Sequence, residues 1–264
     1  MTSSLPPEDQ PNRSDLVECR RAGLAATPIP LVCGGAVVIA GFDAQLPPSL
    51  NAPDTAVTAY YAAHSTALLA RSTAWSLSAL LLVWFASGIH TWLRHRVPAS
   101  RAAAIRAGLT STAVVFVISA AANTAVVLTT RSGSTAAAPL FRCGVLLYPM
   151  LAPVIALSVA LMPAPRILSA RGIPALLLVV VHLAMPVLAM LPGANLALPV
   201  LVMIGIIGFL LWVSWTGTAL ARASHLLLRS AEARAPDSPP RETPERQPPT
   251  TPPATRIQDQ SQRY

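Results

Sequence analysis

The sequence predicts an all-α membrane protein, a bundle of six transmembrane helices with disordered termini. Hydrophobic residues make up 53% of the 264 residues and charged residues only 11%, against about a quarter charged in an ordinary soluble domain. No Asp or Glu lies between Asp54 and Glu232. A soluble domain of that length would lack the surface carboxylates that keep it dispersed. The apolar runs also reach the length of about 18 residues that is typical of transmembrane helices.

Six apolar segments are each long enough to cross a hydrocarbon layer of about 30 Å as a helix that rises about 1.5 Å per residue. In lipid the backbone of each segment must form its hydrogen bonds internally, so each is expected to be helical. The predicted spans are 23–42, 72–93, 107–129, 143–162, 173–191 and 197–220.

These spans divide the chain into three regions. Residues 1–19 are polar and are predicted to be a disordered cytoplasmic amino terminus that ends in a short helical lead-in. Residues 20–229 form the transmembrane domain. Residues 230–264 contain eight prolines and almost nothing apolar, so they are predicted to be a disordered, Pro-rich cytoplasmic tail.

The first apolar segment also admits a cleaved signal peptide. In "RRAGLAATPIPLVCGG" two arginines run into an apolar stretch of 21 residues, from Ala22 to Phe42. A signal peptide has an apolar region of about 7–15 residues, and a lipoprotein signal has a small residue where Val32 precedes Cys33. We therefore expect a span, although the charge pattern of the later spans would be the same after cleavage.

The arginines predict the orientation. If the amino terminus is cytoplasmic, twelve arginines lie beside the inner ends of the spans, and only Arg71, Arg131 and Arg142 lie beside the outer ends. This is the positive-inside pattern, and it predicts that both termini are cytoplasmic. All 19 basic residues are Arg, which with the abundant Ala is typical of a GC-rich bacterial genome. The expected location is the bacterial plasma membrane, with multiple passes.

Several classes of function are not expected. The arginines form no single patch or stripe, so we expect no nucleic-acid partner despite the basic composition. No carboxylate lies within the predicted spans, and no HExxH, Cys-x-x-Cys or Gly-rich phosphate loop is present. We therefore expect no enzyme, no cofactor and no metal site. The three cysteines lie at different depths, which excludes a disulfide between them.

Two polar residues inside the spans are candidate ligand-binding residues. His182 lies at the centre of the fifth span, and Asn123 lies in the outer half of the third, on one helical face with Thr112 and Ser119. Ionisable residues are costly in a membrane and are functional candidates by default. The alternative is that both side chains only form hydrogen bonds between helices.

A second group of candidates lies outside the membrane. His64 and Arg71 share a helical face with Tyr60 and Tyr61, and together they could bind an anion. The alternative is an aromatic belt with an interfacial arginine, which is common at membrane surfaces.

Part of the chain resembles a family. The stretch "DTAVTAYYAAHSTALLARSTAWSLSALLLVWFASGIHTWLRHR" is similar to a recurring segment of uncharacterised polytopic membrane proteins of actinobacteria, which have an outer Pro/Asp loop, an "AYYAAH"-like helix and a span that ends in "LR". The resemblance covers about residues 45–125. It implies a six-span architecture and brings no known activity. The matching positions are Tyr60, Tyr61, His64, Trp84, Phe85, Leu93 and Arg94.

The sequence leaves two hypotheses for the function. The first is a non-enzymatic accessory or scaffold protein in the lipid bilayer, whose Pro-rich tail offers a segment to a protein partner. The second is a small-solute transporter with a site near His182 and Asn123, because transporters often contain pairs of helices interrupted by proline, and the first and fourth spans each carry two prolines. Both hypotheses are compatible with a homo-oligomer.

Overall fold

The computed structural model describes residues 12–33, 48–162, 172–191 and 197–234, and all regular structure in these ranges is helical. After α1, residues 29–33 are again helical. The chain divides after Leu228 into two units, and the packing described below is that of the first. The helices are α1 (Arg13–Ala26), α2 (Asp54–Ala63), α3 (Ser65–Leu93), α4 (Ala99–Arg131), α5 (Ala137–Leu161), α6 (Gly172–Met190) and α7 (Ala197–Arg234).

Four of these helices are long and apolar enough to cross a membrane: α3, α4, α5 and the stretch Val200–Ala233 of α7. The apolar part of α6, Pro174–Ala189, is shorter. The four long helices coincide with the second, third, fourth and sixth predicted spans, and α6 coincides with the fifth. Of the first predicted span, residues 34–42 lie outside the described part of the chain.

The distribution of side chains is that of a membrane-embedded bundle. Large apolar side chains are exposed along the outside of the long helices; Leu80, for example, is 69% exposed and Leu211 is 58% exposed. In contrast, Ser78, Ser158 and His182 are completely buried. An exposed apolar surface of this extent is costly in water and favourable in lipid.

Small residues allow close contacts between α1 and its neighbours. Ala22 lies directly against Gly88 of α3, where a Cβ atom would overlap it, and the thiol of Cys19 donates a hydrogen bond to the Gly88 carbonyl at 3.4 Å. On the other side of α1, a Cβ on Gly23 would lie 2.5 Å from the carbonyl oxygen of Gly217 in α7. Such contacts between small residues are typical of helices packed in membranes.

The contact between α6 and α7 also depends on glycine. A Cβ on Gly208 would lie 2.6 Å from Cδ2 of Leu178, and Gly205 lies against Met185 and the ring of His182. The sequence leaves open whether the helix that approaches these two glycines belongs to the same chain. In the structure that helix is α6.

Helical structure is present in both regions that the sequence assigned to the termini: residues 13–19 agree with the predicted helical lead-in, and residues 230–234 were predicted as part of the tail. Helix α1 begins at Arg13, where the side chain of Asn12 accepts a hydrogen bond from the backbone N–H of Asp15 at 2.8 Å. Residues 13–19 are therefore helical, and their packing against α3 includes the ion pair between Asp15 and Arg94 at 2.6 Å. Residues 230–234 are helical as well, because α7 ends at Arg234. The remainder of both termini lies outside the described residues.

Candidate functional site

A cavity of about 230 Å³ lies at the end of the bundle where α2 crosses it. We call this the α2 end, and the cavity the α2-end cavity. Its walls come from α2, α3, α4, α5 and α7, and residues 48–50 cover part of it. The helices contribute to its wall the polar side chains of Tyr61, Arg71, Ser72, Trp75, Ser119, Asn123 and Tyr148, and the covering residues contribute Ser49.

Asn123 connects three helices at the wall of this cavity. Its Oδ1 accepts hydrogen bonds from the Tyr61 hydroxyl and from Nη2 of Arg71, both at 3.2 Å. Its Nδ2 donates to Oγ of Ser72 at 2.8 Å and to the Leu68 carbonyl at 3.1 Å. These four bonds use the full capacity of an amide side chain. Asn123 therefore positions its neighbours and has no hydrogen-bonding capacity left for a ligand.

Most of the hydrogen-bond donors of Arg71 have no acceptor among the described residues. Among the described residues its guanidinium donates to Asn123 and forms no ion pair, whereas the nearby Asp54 pairs with Arg142 at 2.7 Å. A guanidinium carries five N–H donors, so most of those on Arg71 remain for a group in the cavity. Arg71 is also the only charged side chain among the described residues that line the cavity.

Ser119 contributes a second polar group that lacks a partner. It lies one turn before Asn123 on α4, and its buried Oγ forms no hydrogen bond with any of the described residues. A buried polar group without a partner costs about 1–3 kcal/mol. Thr112, on the same helical face, bonds instead to Ser158 at 3.2 Å and packs α4 against α5. The predicted polar face of the third span thus divides into one packing residue, Thr112, and two cavity residues, Ser119 and Asn123.

His182 lies beside the cavity without lining it. The imidazole is completely buried, and Nδ1 is 2.7 Å from the Leu178 carbonyl. Because a carbonyl can only accept, Nδ1 carries the hydrogen and Nε2 is the acceptor for the Tyr148 hydroxyl, 3.4 Å away. This geometry fits the interpretation of His182 as a neutral imidazole bonded between helices. Tyr148 links it to the cavity.

The predicted anion site outside the membrane is split by a break in the helix. The predicted common face requires one continuous helix from Tyr60 to Arg71, but the backbone leaves helical geometry at His64 (φ −108°, ψ 16°) and separates α2 from α3. The ring centroids of Tyr60 and His64 are 4.8 Å apart and the rings are tilted by 49°, and neither residue is among those that line the cavity. Tyr61 and Arg71 do line it.

Burial keeps the Tyr61 hydroxyl in its donating form. The side chain is 6% exposed, and this burial raises the pKa of Tyr61 to about 12, although the charge of Arg71 acts in the opposite direction. The hydroxyl is therefore protonated at physiological pH and donates to Asn123.

Neither Tyr148 nor Trp75 was among the predicted site residues. Both line the cavity, with ring centroids 6.5 Å apart. For Tyr148 a usable indication existed, because a tyrosine within an apolar segment brings a hydroxyl that needs a partner. No comparable indication existed for Trp75, since a tryptophan near the end of a span fits a belt equally well.

The fold and the cavity together define a class, a membrane-embedded helical bundle with a partly polar cavity at one end. Comparisons of the chain with protein-family models, with curated proteins and with solved structures found no match. Among the described residues, no group of three or more His, Cys, Asp or Glu side chains is placed to hold a metal ion.

Proposed function

We propose that the chain is a six-span protein of the bacterial plasma membrane with both termini in the cytoplasm. The number of six spans is supported by four long apolar helices, by the shorter α6 and by the apolar segment that begins in α1. The concentration of arginine at one side of the spans supports the orientation, and the resemblance to actinobacterial membrane proteins supports the source. In this orientation the α2 end faces outward.

We further propose that the protein is not an enzyme and acts as a small-solute transporter that binds its solute in the α2-end cavity. The observation that carries this proposal is the pair of incompletely bonded groups, the guanidinium of Arg71 and the hydroxyl of Ser119, on the wall of one cavity. Prolines lie close to the same place: Pro149 follows Tyr148, and Pro186 follows His182 by one turn. Helices interrupted by proline are common around the binding sites of transporters.

The competing hypothesis, an accessory or scaffold protein, depends on the Pro-rich tail. Only residues 230–234 of that tail lie in the described part of the chain, so this hypothesis stays a prediction. Removal of residues 235–264 distinguishes the two functions, because a transporter keeps its solute binding and flux, whereas a scaffold loses its partners.

The proposal is tested by a thermal-stability screen of the full chain, purified in detergent, against a panel of ions and metabolites between about pH 5 and pH 8. A ligand at 100 times its dissociation constant adds about 2.7 kcal/mol of stability. Val202→Phe fills the cavity, which Val202 lines, and is expected to abolish the shift. Ile207→Phe is the matched control, because Ile207 lies on the same helix and is 50% exposed.

Two results would contradict the proposal. One is a panel without any stabilising compound, or a shift that Val202→Phe leaves intact, because the cavity is then not a binding site. The other is a compound that binds in the cavity but is not carried across the membrane of proteoliposomes, because transport is then excluded for it.

A further inference from the structure

The electrostatics of the α2-end cavity favour an anionic ligand. Arg71 is the only charged residue among the described residues of its wall, and no carboxylate in the described part of the chain forms an ion pair with it. A partly buried charge without a counter-ion is unfavourable in a membrane protein. An anion from outside would neutralise it, and a carboxylate fits a guanidinium with two parallel hydrogen bonds.

The hydrogen-bond donors that remain unused on the wall also favour an anionic ligand. Asn123 has four partners, and the Ser72 hydroxyl donates to the Leu68 carbonyl at 3.0 Å while it accepts from Asn123. Among the described residues of the wall, the side-chain donors that remain include those of Arg71 and the hydroxyl of Ser119, and the indole N–H of Trp75 and the hydroxyl of Ser49 add to them. A wall that offers donors suits a ligand rich in acceptors, such as a carboxylate, and does not suit an ammonium group.

The rest of the wall determines the size and character of the ligand. Trp75, Phe141 and Tyr148 present aromatic rings, and α7 adds branched apolar side chains such as Val202 and Ile206. The cavity measures about 230 Å³, whereas an engineered apolar cavity of about 150 Å³ binds benzene. If the number of non-hydrogen atoms increases in proportion to the volume, the cavity admits about nine of them. A phospholipid with two acyl chains is far larger.

We infer that the α2-end cavity binds a small aromatic or short-chain monocarboxylate. Its carboxylate is held by Arg71 and Ser119, and its apolar body lies against Trp75 and Phe141. This inference rests on the proposed solute-binding function and names the ligand class of the same site. A dicarboxylate fits less well, because Arg71 can compensate only one negative charge.

Three probes of the same size and different charge test the ligand class: benzoate, benzamide and benzamidinium. Binding of each to the detergent-purified full chain is measured by titration calorimetry at neutral pH. Benzoate is expected to bind at least about tenfold more tightly than benzamide, because hydrogen bonds to charged partners are the stronger ones. Benzamidinium is expected not to bind. Palmitate, which shares the carboxylate but comes from the bilayer, is expected to compete poorly because of its length.

Variants of Arg71 test the assignment of the residue. Arg71→Gln is expected to weaken benzoate binding about tenfold or more and to leave benzamide binding unchanged. Arg131→Gln is the matched control, because Arg131 lies at the same end of the bundle, donates to Ser65 at 3.0 Å and does not line the cavity. If Arg71→Gln does not fold, Arg71→Lys keeps the charge but loses the two-point contact. It is then expected to bind benzoate more weakly while still preferring it to benzamide.

The outcomes separate this inference from the proposed function. If benzamide or benzamidinium binds as tightly as benzoate, or if palmitate displaces benzoate, the ligand class is wrong but a solute site remains. If Arg71→Gln and Arg131→Gln weaken benzoate equally, Arg71 is not the anion-binding residue. If no probe binds while another compound of the screen does, the monocarboxylate is excluded and the function stands. If nothing binds at all, both fail.

Discussion

The amide of Asn123 shows how one residue can organise a site without offering anything to a ligand. It lies between residues that are 51 to 62 positions away along the chain, and it fixes the position of the Arg71 guanidinium. Asn123 of the predicted mid-membrane site and Arg71 of the predicted outer site therefore line one cavity, whereas His182 and His64 do not line it. Under the proposed function, Arg71 and Ser119 are the groups left to contact the solute.

Asn123→Ala is expected to destabilise the protein, because it leaves the Tyr61 hydroxyl and Arg71 without their acceptor. A buried group that loses its partner costs about 1–3 kcal/mol. Thermal unfolding in detergent measures the loss. Thr124→Ala is the control, since among the described residues the Thr124 hydroxyl bonds only to the Ala120 carbonyl of its own helix, at 2.9 Å. Equal unfolding temperatures for the two variants would show that the bonds of Asn123 do not contribute.

At the scale of elements, hydropathy predicted the long helices, but it did not predict the break between α2 and α3. The break at His64 is caused by packing. Val57 and Tyr61 of α2 are buried in a cluster with Phe141 of α5, and the rings of Tyr61 and Phe141 approach edge to face at 5.8 Å. No Pro or Gly marks the break in the sequence, so local propensity could not predict it.

Gly23→Ala is expected to separate α1 from α7. The added Cβ would lie 2.5 Å from the Gly217 carbonyl oxygen and 2.8 Å from the backbone nitrogen of Ala221, and backbone atoms cannot yield as a side chain can. Overpacking of this kind costs about 1–3 kcal/mol, which thermal unfolding would detect. At Gly144 a Cβ would meet only the Ala122 Cβ at 3.5 Å. Gly144→Ala is therefore expected to keep or raise stability, and a similar loss in both variants would refute the close contact.

At the scale of the whole molecule, composition predicted the class and hydropathy predicted the positions of the long helices. The candidate site was only partly predictable, because Arg71, Asn123 and Tyr148 come from three different helices. Their proximity depends on how α3, α4 and α5 are rotated, and single-sequence periodicity does not determine this rotation. The predicted site residues His64 and His182 lie near the cavity, but neither lines it.

Cys143 can test the proposed orientation. It is exposed near the α2 end, whereas Cys19 and Cys33 are buried. If the α2 end faces outward, a membrane-impermeant maleimide is expected to label Cys143 in right-side-out vesicles. Cys143→Ser is expected to abolish the labelling, which mass spectrometry of the purified protein would measure. Labelling of Cys143 only after the membrane is permeabilised would mean that the orientation is reversed.

The lack of a carboxylate partner for Arg71 among the described residues has an electrical consequence. An empty cavity carries one positive charge, and a cavity that holds a monoanion carries none. A unit charge that moves through a potential of 100 mV changes its energy by about 2.3 kcal/mol. If the bundle moves the cavity across the membrane, the membrane potential would therefore act on the positive charge of the empty cavity. It would exert no net force on a cavity that holds a monoanion. Voltage would then affect the return of the unloaded carrier more than the passage of its cargo.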